Sequence, residues 1–452
     1  MVTRRSAGFF LAGLIFTLLA CGTADEKVVD VNLILPVGWE SVIDMDVLGA
    51  ESLTPYIGTI RFLHNGATYE FPYDKHTASI DVGETDGDLT VQAVTAGQVI
   101  MEGRVAGLGS ASGGVTVTLE KANGFSEAGS LLFPRLNHSA VPVNGVVYLV
   151  GGNAATGVIE AVASSGGGFV SSAYAASLVY PRDKTTVLHD PAGDQLFVFK
   201  GALAVGDNLY EIVDLENELV VPRVFSNPRF NYFPILVDQE ILLLGGDDGI
   251  STWFENTLLI DAQNLSEQIW TGLGTSLVRD EPICLSDSIK LSCFGGNTEI
   301  VEVFDLFSGV IDYSLSILPN MYGFTATLLE NGDVVIVGGI EGATTLSEVK
   351  LFKPYTGDFS ALGAGLIYPR NFHTSTLLSN DHLLIIGGGP TVDSSHTAEL
   401  LNLTTGESTL LPWRMTVPRV GHTATLLPDG RVLVTGGSAT DRTIEVWNPW
   451  IN

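Results

Sequence analysis

Few residues in this 452-residue chain have the types and spacing that chemistry requires. Its three cysteines are Cys21, Cys284 and Cys293; a thiolate can be acylated or bind a soft metal, and a pair can oxidise. Three histidines share one local setting, PRLNH at 134–138, PRNFH at 369–373 and PRVGH at 418–422. His138, His373 and His422 thus follow Arg135, Arg370 and Arg419 by three residues. Three imidazoles could make a metal cluster, but weaker copies of the motif put Thr185, Tyr232, Glu281 and Phe324 at that position. A position that accepts hydroxyl, phenol, carboxylate and benzyl groups points to capping and hydrogen bonding, one copy at a time. Arg182 and Arg229 extend the arginine series, and Glu160, Glu211, Glu302, Glu399 and Glu445 recur downstream. Ion pairs inside each copy are the expected use of both series. No Ser-His-Asp order, phosphate loop, CxxC pair or HExxH helix is present, so no catalytic residue, metal or cofactor is expected.

Two loops gather carboxylates. Asp81, Glu84, Asp86 and Asp88 crowd one turn, where calcium could bind through oxygen, but the spacing is not that of an EF-hand and a solvated acidic turn is the expectation. The loop DDGISTWFEN at 247–256 holds Asp247, Asp248, Trp253 and Phe254, aromatic surface beside acid, as suits a sugar or a protein side chain. A tryptophan packed on its own sheet is the alternative.

The first residues read as an address. Arg4 and Arg5 precede an apolar run from Ala7 to Leu19, then Ala20 and Cys21, with no basic flank after it; the grammar is that of a signal peptide and the run is short for a bilayer span. Leu18-Leu19-Ala20-Cys21 resembles the bacterial lipobox. The resemblance implies a signal peptide at 1–20, an acylated Cys21 anchoring the chain to the membrane, and a tether at 21–26. Gly22, in place of an inner-membrane-retaining Asp, leans the location to the outer membrane or cell surface. Removing residues 1–20 takes the formal charge from −29 to −31, which excludes nucleic acid as a partner. Charged residues are 16% and Gly numbers 51, a profile of short strands and tight turns.

From 27 to 121, VVDVNLILPV, GTIRFLHNGATYEFPY, DLTVQAVTAGQVIMEGRVAGL and GGVTVTLEKA alternate apolar and polar residues between Gly, Asn and Asp. This predicts a small β-sandwich, and it resembles the immunoglobulin-like or prealbumin-like modules that follow lipoboxes. From 124 to 452 the chain repeats: PRVGHTATLLPDGRVLVTGG, PRNFHTSTLLSNDHLLIIGGG and PRLNHSAVPVNGVVYLVGG are the best copies. The paired-glycine position falls at 151, 200, 245, 295, 338, 387 and 436, giving seven units. Asn144-Gly145, Asn331-Gly332 and Asp429-Gly430 predict two-residue hairpin turns with positive φ at both positions. Unbroken apolar runs such as Ile241–Leu244 predict strands buried on both faces. Cys284 and Cys293 stand four residues either side of the Ser288-Ile289 turn, face to face, so an exported chain should oxidise them.

The units resemble the kelch repeat. An all-β, seven-bladed kelch-type β-propeller behind a small β-sandwich is the architecture this implies, with residues 124–130 closing the last blade. Galactose oxidase is similar in architecture, but its copper site needs a cysteine cross-linked to tyrosine, and here no cysteine is left for it. Function therefore reads as an envelope binding or scaffold protein that presents loops to a protein or glycan ligand. The alternative is a carbohydrate-active enzyme, galactose oxidase-like or sialic-acid epimerase-like.

Overall fold

A computed structural model describes residues 31–34, 59–64, 67–72, 88–95, 98–105, 115–118 and 120–121. It also describes 124–449, apart from 153–155, 166–167, 202–207, 249–253, 255, 271–281, 297, 317–319 and 379–380. Its regular structure is almost entirely strand, joined by turns and irregular loops; among the described residues the helix Val392–His396 is a single short element. The chain divides into two compact units, one of Met1–Ser126 with Pro412–Arg414 and Asn448–Asn452, the other of Glu127–Leu411 and Met415–Trp447.

In the first unit, Thr59–His64, Ala67–Pro72, Leu89–Thr95, Gln98–Val105 and Glu120–Lys121 form one antiparallel sheet. Val31–Ile34 pairs in parallel with Val115–Thr118. The alternation read from the sequence sorts the faces: Ile60, Phe62, Val91 and Ala93 are buried, while Arg61 meets Glu70 at 2.6 Å on the other side.

The second unit contains, among the described residues, seven four-stranded antiparallel sheets, numbered here in chain order. Sheet 1 is Ser139–Val143, Val146–Val150, Val158–Ser165 and Gly168–Ser177; sheet 2 is Thr186–Asp190, Gln195–Phe199, Leu209–Asp214 and Leu219–Val224. Sheet 3 is Phe233–Val237, Glu240–Leu244, Thr257–Asp261 and Glu267–Trp270; sheet 4 is Ile283–Ser286, Lys290–Phe294, Ile300–Asp305 and Val310–Ser316. Sheet 5 is Thr325–Leu328, Val334–Val337, Val349–Lys353 and Asp358–Ala361; sheet 6 is Thr374–Leu377, His382–Ile386, Ala398–Asn402 and Ser408–Leu410. Sheet 7 is His422–Leu426, Val432–Gly436 and Thr443–Asn448, and its outer strand is Gly124–Ser130, from before sheet 1. The first strand of each sheet borders the first strand of the next, and that of sheet 7 borders that of sheet 1.

The core lies between sheets. Val150 and Ile159 of sheet 1 cluster with Leu196, Val198 and Val213 of sheet 2. In the same way Leu433, Ile444 and Val446 of sheet 7 cluster with Val147, Leu149 and Val162 of sheet 1. Second and third strands therefore have a neighbour on both faces, which is why their sequences read as continuous apolar runs.

The turns depart in part from expectation. Asn144 and Gly145 both have positive φ, 51° and 81°, in a two-residue loop between the paired Val143 and Val146. At 331–332 and 429–430 only the glycine is positive. There Leu329 N–H reaches Asp333 O and Leu427 N–H reaches Arg431 O, both at 2.8 Å, closing three-residue loops. A type I turn followed by a left-handed glycine needs no positive φ at the Asx residue.

Candidate functional site

The repeated arginine and glutamate join strands within a sheet. Arg135, Arg182, Arg370 and Arg419 pair with Glu160, Glu211, Glu399 and Glu445 at 2.8–3.0 Å, every member fully buried. Each guanidinium also donates to the carbonyl of the first residue of its glycine pair: Gly151, Lys200, Gly387 or Gly436. Each carboxylate takes a further backbone N–H, from Leu132, Val179, Ile367 or Thr416. Buried charges are tolerable because each is paired with its opposite and further hydrogen-bonded to backbone inside the sheet. Glu302 is buried in the same register of sheet 4. Sheet 3 differs: Leu258 occupies the glutamate's register opposite Leu243. Its Arg229 bonds the Gly245 and Asn256 carbonyls at 2.7 and 2.8 Å and lies 4.7 Å from the Phe254 ring. Burial without a carboxylate partner lowers this guanidinium to about 10.

The histidines join one sheet to the preceding one. His373 Nε2 is 3.1 Å from the Thr325 hydroxyl of sheet 5, His422 Nε2 is 3.0 Å from Thr374 of sheet 6, and His138 Nε2 is 2.9 Å from Thr423 of sheet 7. The glycine pair makes room on both sides. A Cβ on the first glycine, at Gly338, Gly387 or Gly436, would come within 2.5–3.0 Å of the next sheet's imidazole Cε1. On the second, at Gly152, Gly388 or Gly437, it would lie 2.6–2.8 Å from the Cβ of the sheet's own histidine. Burial, reinforced by the neighbouring arginines, brings His138 and His373 down to about 3 and His422 well below its ordinary value. All three are neutral spacers with committed Nε2 atoms.

Between arginine and histidine lies the position that shapes a site. Asn137, Lys184, Asn231 and Phe372 have φ of 52°, 51°, 55° and 49°, and Gly323 and Gly421 have 65°. This left-handed residue is linked from sheet to sheet by main-chain bonds: Phe372 N–H to Gly323 O at 2.7 Å, Gly421 to Phe372 at 3.0 Å, Asn137 to Gly421 at 2.9 Å. Beside this girdle opens a cavity of about 610 Å³, lined on the polar side by Asn137, Lys184, Thr185 and Ser438 and on the apolar side by Leu136, Phe372 and Val420. Phe372 is 44% exposed and Tyr322 55%, with ring centroids 6.1 Å apart. Aromatic faces beside amide, hydroxyl and ammonium groups can hold a polar ring with apolar C–H faces.

The residues singled out from sequence fall elsewhere. Asp247 is buried, bridges Phe230 in the backbone and accepts from the Asn231 amide at 2.7 Å. Asp248 is half-buried, Phe254 lies over Arg229, and Trp253 is outside the described residues. Cys284 and Cys293 are opposite each other, bonded, with Cα atoms 4.1 Å apart. Cys21, Asp81, Glu84 and Asp86 lie outside the described residues, and Asp88 is exposed. The girdle was missed because its shared property is a backbone angle. The glycines at 323 and 421, in one column of the repeat, were the available signal.

No protein-family profile matches the chain, and no curated protein does. Among solved structures, the chain is similar to one described as a novel fungal alcohol oxidase with catalytic diversity among the AA5 family, in complex with copper. Identity is 15% and the TM-score 0.56, over 72% of this chain and 75% of the other. The likeness is one of all-β, propeller-like fold. Copper would need convergent imidazole, thiolate or phenolate donors. Among the described residues no three His, Cys, Asp or Glu side chains converge, the cysteines at 284 and 293 are bonded to each other, and the repeat histidines are engaged between sheets. These residues do not fit a copper centre.

Proposed function

We propose that this chain is an exported, lipid-anchored protein, held at the outer membrane or cell surface through Cys21, with a small sandwich domain and a seven-bladed kelch-type propeller that binds a carbohydrate. The observation that carries the reading is the cavity at the girdle, lined by Phe372 with Asn137, Lys184 and Ser438, with the exposed Tyr322 ring next to Phe372. Seven sheets with first strands in cyclic contact support the propeller. A pure scaffold would have no use for an exposed aromatic pair at a polar cavity.

A second reading, a carbohydrate-active enzyme, draws support from the fold shared with the AA5 oxidase. It would need chemistry other than that oxidase's copper centre at these residues. The test is a glycan array on the full chain, followed by calorimetry with the best sugar on wild type, Phe372→Ala and Asn137→Ala. Binding of a restricted set of sugars, weakened tenfold or more in both variants without a change in Tm, is expected. No glycan bound, or variants that bind as wild type, would overturn the proposal; conversion of the bound sugar would select the enzyme reading.

A further inference from the structure

Sheet 4 departs from its companions at the turn end, opposite to the end that carries the glycine pairs. Its hairpin tip is Ser288-Ile289, with Ile289 54% exposed, where the other tips include Asn144-Gly145, Asp238-Gln239 and Asp429-Gly430. Its third-to-fourth-strand turn carries Phe307, which is 99% exposed. The matching position is Glu216 in sheet 2, Gln263 in sheet 3 and Thr404 in sheet 6. In sheet 5 it is Tyr355, whose hydroxyl is tied to Asp287 at 2.7 Å. Leu306 N–H donates to Ile289 O at 2.9 Å, so the two turns sit side by side. The disulfide Cys284–Cys293 braces the same hairpin. A fully exposed phenylalanine on a rigid turn, where sheets 2, 3 and 6 carry Glu216, Gln263 and Thr404, marks a contact surface.

Beside Phe307, between sheets 3 and 4, is a second cavity of about 590 Å³ whose lining includes Asp238, Glu240, Asp261, Trp270, Leu306 and Phe307. No lysine or arginine lines it; the nearby Lys290 is held by Asp305 at 3.1 Å and Asp312 at 2.7 Å. Trp270 is fixed against sheet 4, since a Cβ on Gly309 would stand 2.0 Å from its Cζ2. Asp238 and Glu240 are exposed at this cavity, where carboxylates can accept from an organic cation. The chain's formal charge of −29 adds long-range attraction for one.

We infer that this end of sheet 4 docks a segment of a partner protein in which an apolar side chain is flanked by lysine or arginine. The apolar side chain packs on Phe307 and Trp270, while Asp238 and Glu240 accept from the cationic groups. The surface is independent of the sugar site.

The test uses the full chain and a fluorescent nonapeptide of alternating Lys and Leu, with a Glu–Leu peptide as control, read by anisotropy at low and high salt. Phe307→Ser, D238N/E240Q and, on sheet 2, E216Q/E218Q are compared. Expected are saturable binding of the basic peptide, no binding of the acidic one, and a loss of tenfold or more in Phe307→Ser and D238N/E240Q against less than twofold in E216Q/E218Q. The inference is overturned if the basic peptide does not saturate, if Phe307→Ser binds as wild type, or if the sheet 2 variant loses as much, since diffuse charge then accounts for binding. Phe307 is fully exposed, so its replacement leaves the fold and the sugar affinity in place.

Discussion

The imidazole of His138 in sheet 1 rests on Gly436 of sheet 7: a Cβ at 436 would stand 2.5 Å from Cε1, and Nε2 lies 3.0 Å from the Thr435 hydroxyl. The first and last copies of the repeat are joined by the same contact that joins sheet 5 to sheet 6 through Gly338 and His373, and sheet 6 to sheet 7 through Gly387 and His422. At these three joints the second glycine adds a main-chain bond to the next sheet's arginine carbonyl, Gly437 to Arg135, Gly339 to Arg370 and Gly388 to Arg419, at 2.8–2.9 Å. The motif is a joint between neighbours.

Gly436→Ala should therefore cost more than its backbone angle alone. Gly145 has φ +81° and no atom within 4 Å of an added Cβ, so Gly145→Ala should cost about 1 kcal/mol. Gly436 has φ +67° and a blocked Cβ site, and its alanine variant should cost about 3 kcal/mol or more. Urea unfolding measures both, and adding His138→Ala to Gly436→Ala should recover part of the loss. Equal costs for the two glycines would refute the joint.

The neutral histidines predict a pH dependence. In the folded chain His138 and His373 sit near 3 and His422 well below its usual range, chiefly through burial; unfolded, each titrates near 6.5. Below about 6.5 the unfolded state takes up protons that the folded state refuses. Stability is thus full above that pH and falls as pH drops toward 3, by about 1.4 kcal/mol per unit for each histidine. Unfolding free energies at pH 7.5, 6 and 5 should decline steadily, and replacing all three by glutamine should flatten the slope. A level wild-type profile over this range would exclude neutral burial.

Arg229 and Arg370 occupy one repeat position with different partners. Arg370→Met leaves the buried Glu399 with only Ile367 N–H, Tyr368 N–H and the Ser408 hydroxyl, and should cost about 3–5 kcal/mol. Arg229→Met orphans no carboxylate, because Leu258 stands in that register. It should cost under about 2 kcal/mol, for lost bonds to Gly245 and Asn256. Denaturation midpoints of the two variants decide it, with equal losses counting against the contrast.

The all-β fold was legible because apolar periodicity, Asx-Gly turns and paired glycines each have one strong structural meaning. Ile241–Leu244 could only be a strand covered on both faces, as it is. The site was less legible. Asp247 beside Phe254 had the composition of a binding loop, but composition does not say which groups turn inward, and Asp247 is spent on Asn231. The same limit governs turns: Asn144-Gly145 and Asn331-Gly332 are one dipeptide in two geometries, decided by where the flanking strands pair. Asn137, Lys184 and Phe372 share no side-chain chemistry, only a left-handed backbone.

Phe372 shows what that backbone is for. A bulky residue at φ 49° is strained, and sheets 5 and 7 use the strain-free residue, Gly323 and Gly421, at the same place. The ring lies over Gly323, about 3.3 Å from where a Cβ there would stand, and is partly open to solvent beside Tyr322. Phe372→Gly keeps the main-chain bond to Gly323 O and removes the strain, so stability should hold or rise by up to about 1 kcal/mol. Sugar affinity should fall at least tenfold. That pairing, measured by urea unfolding and calorimetry on one variant, separates a platform from a core residue: if Phe372→Gly instead loses more than about 2 kcal/mol, the ring is packing that holds sheets 5 and 6 together, because relief of strain at a solvent-facing ring cannot produce such a loss.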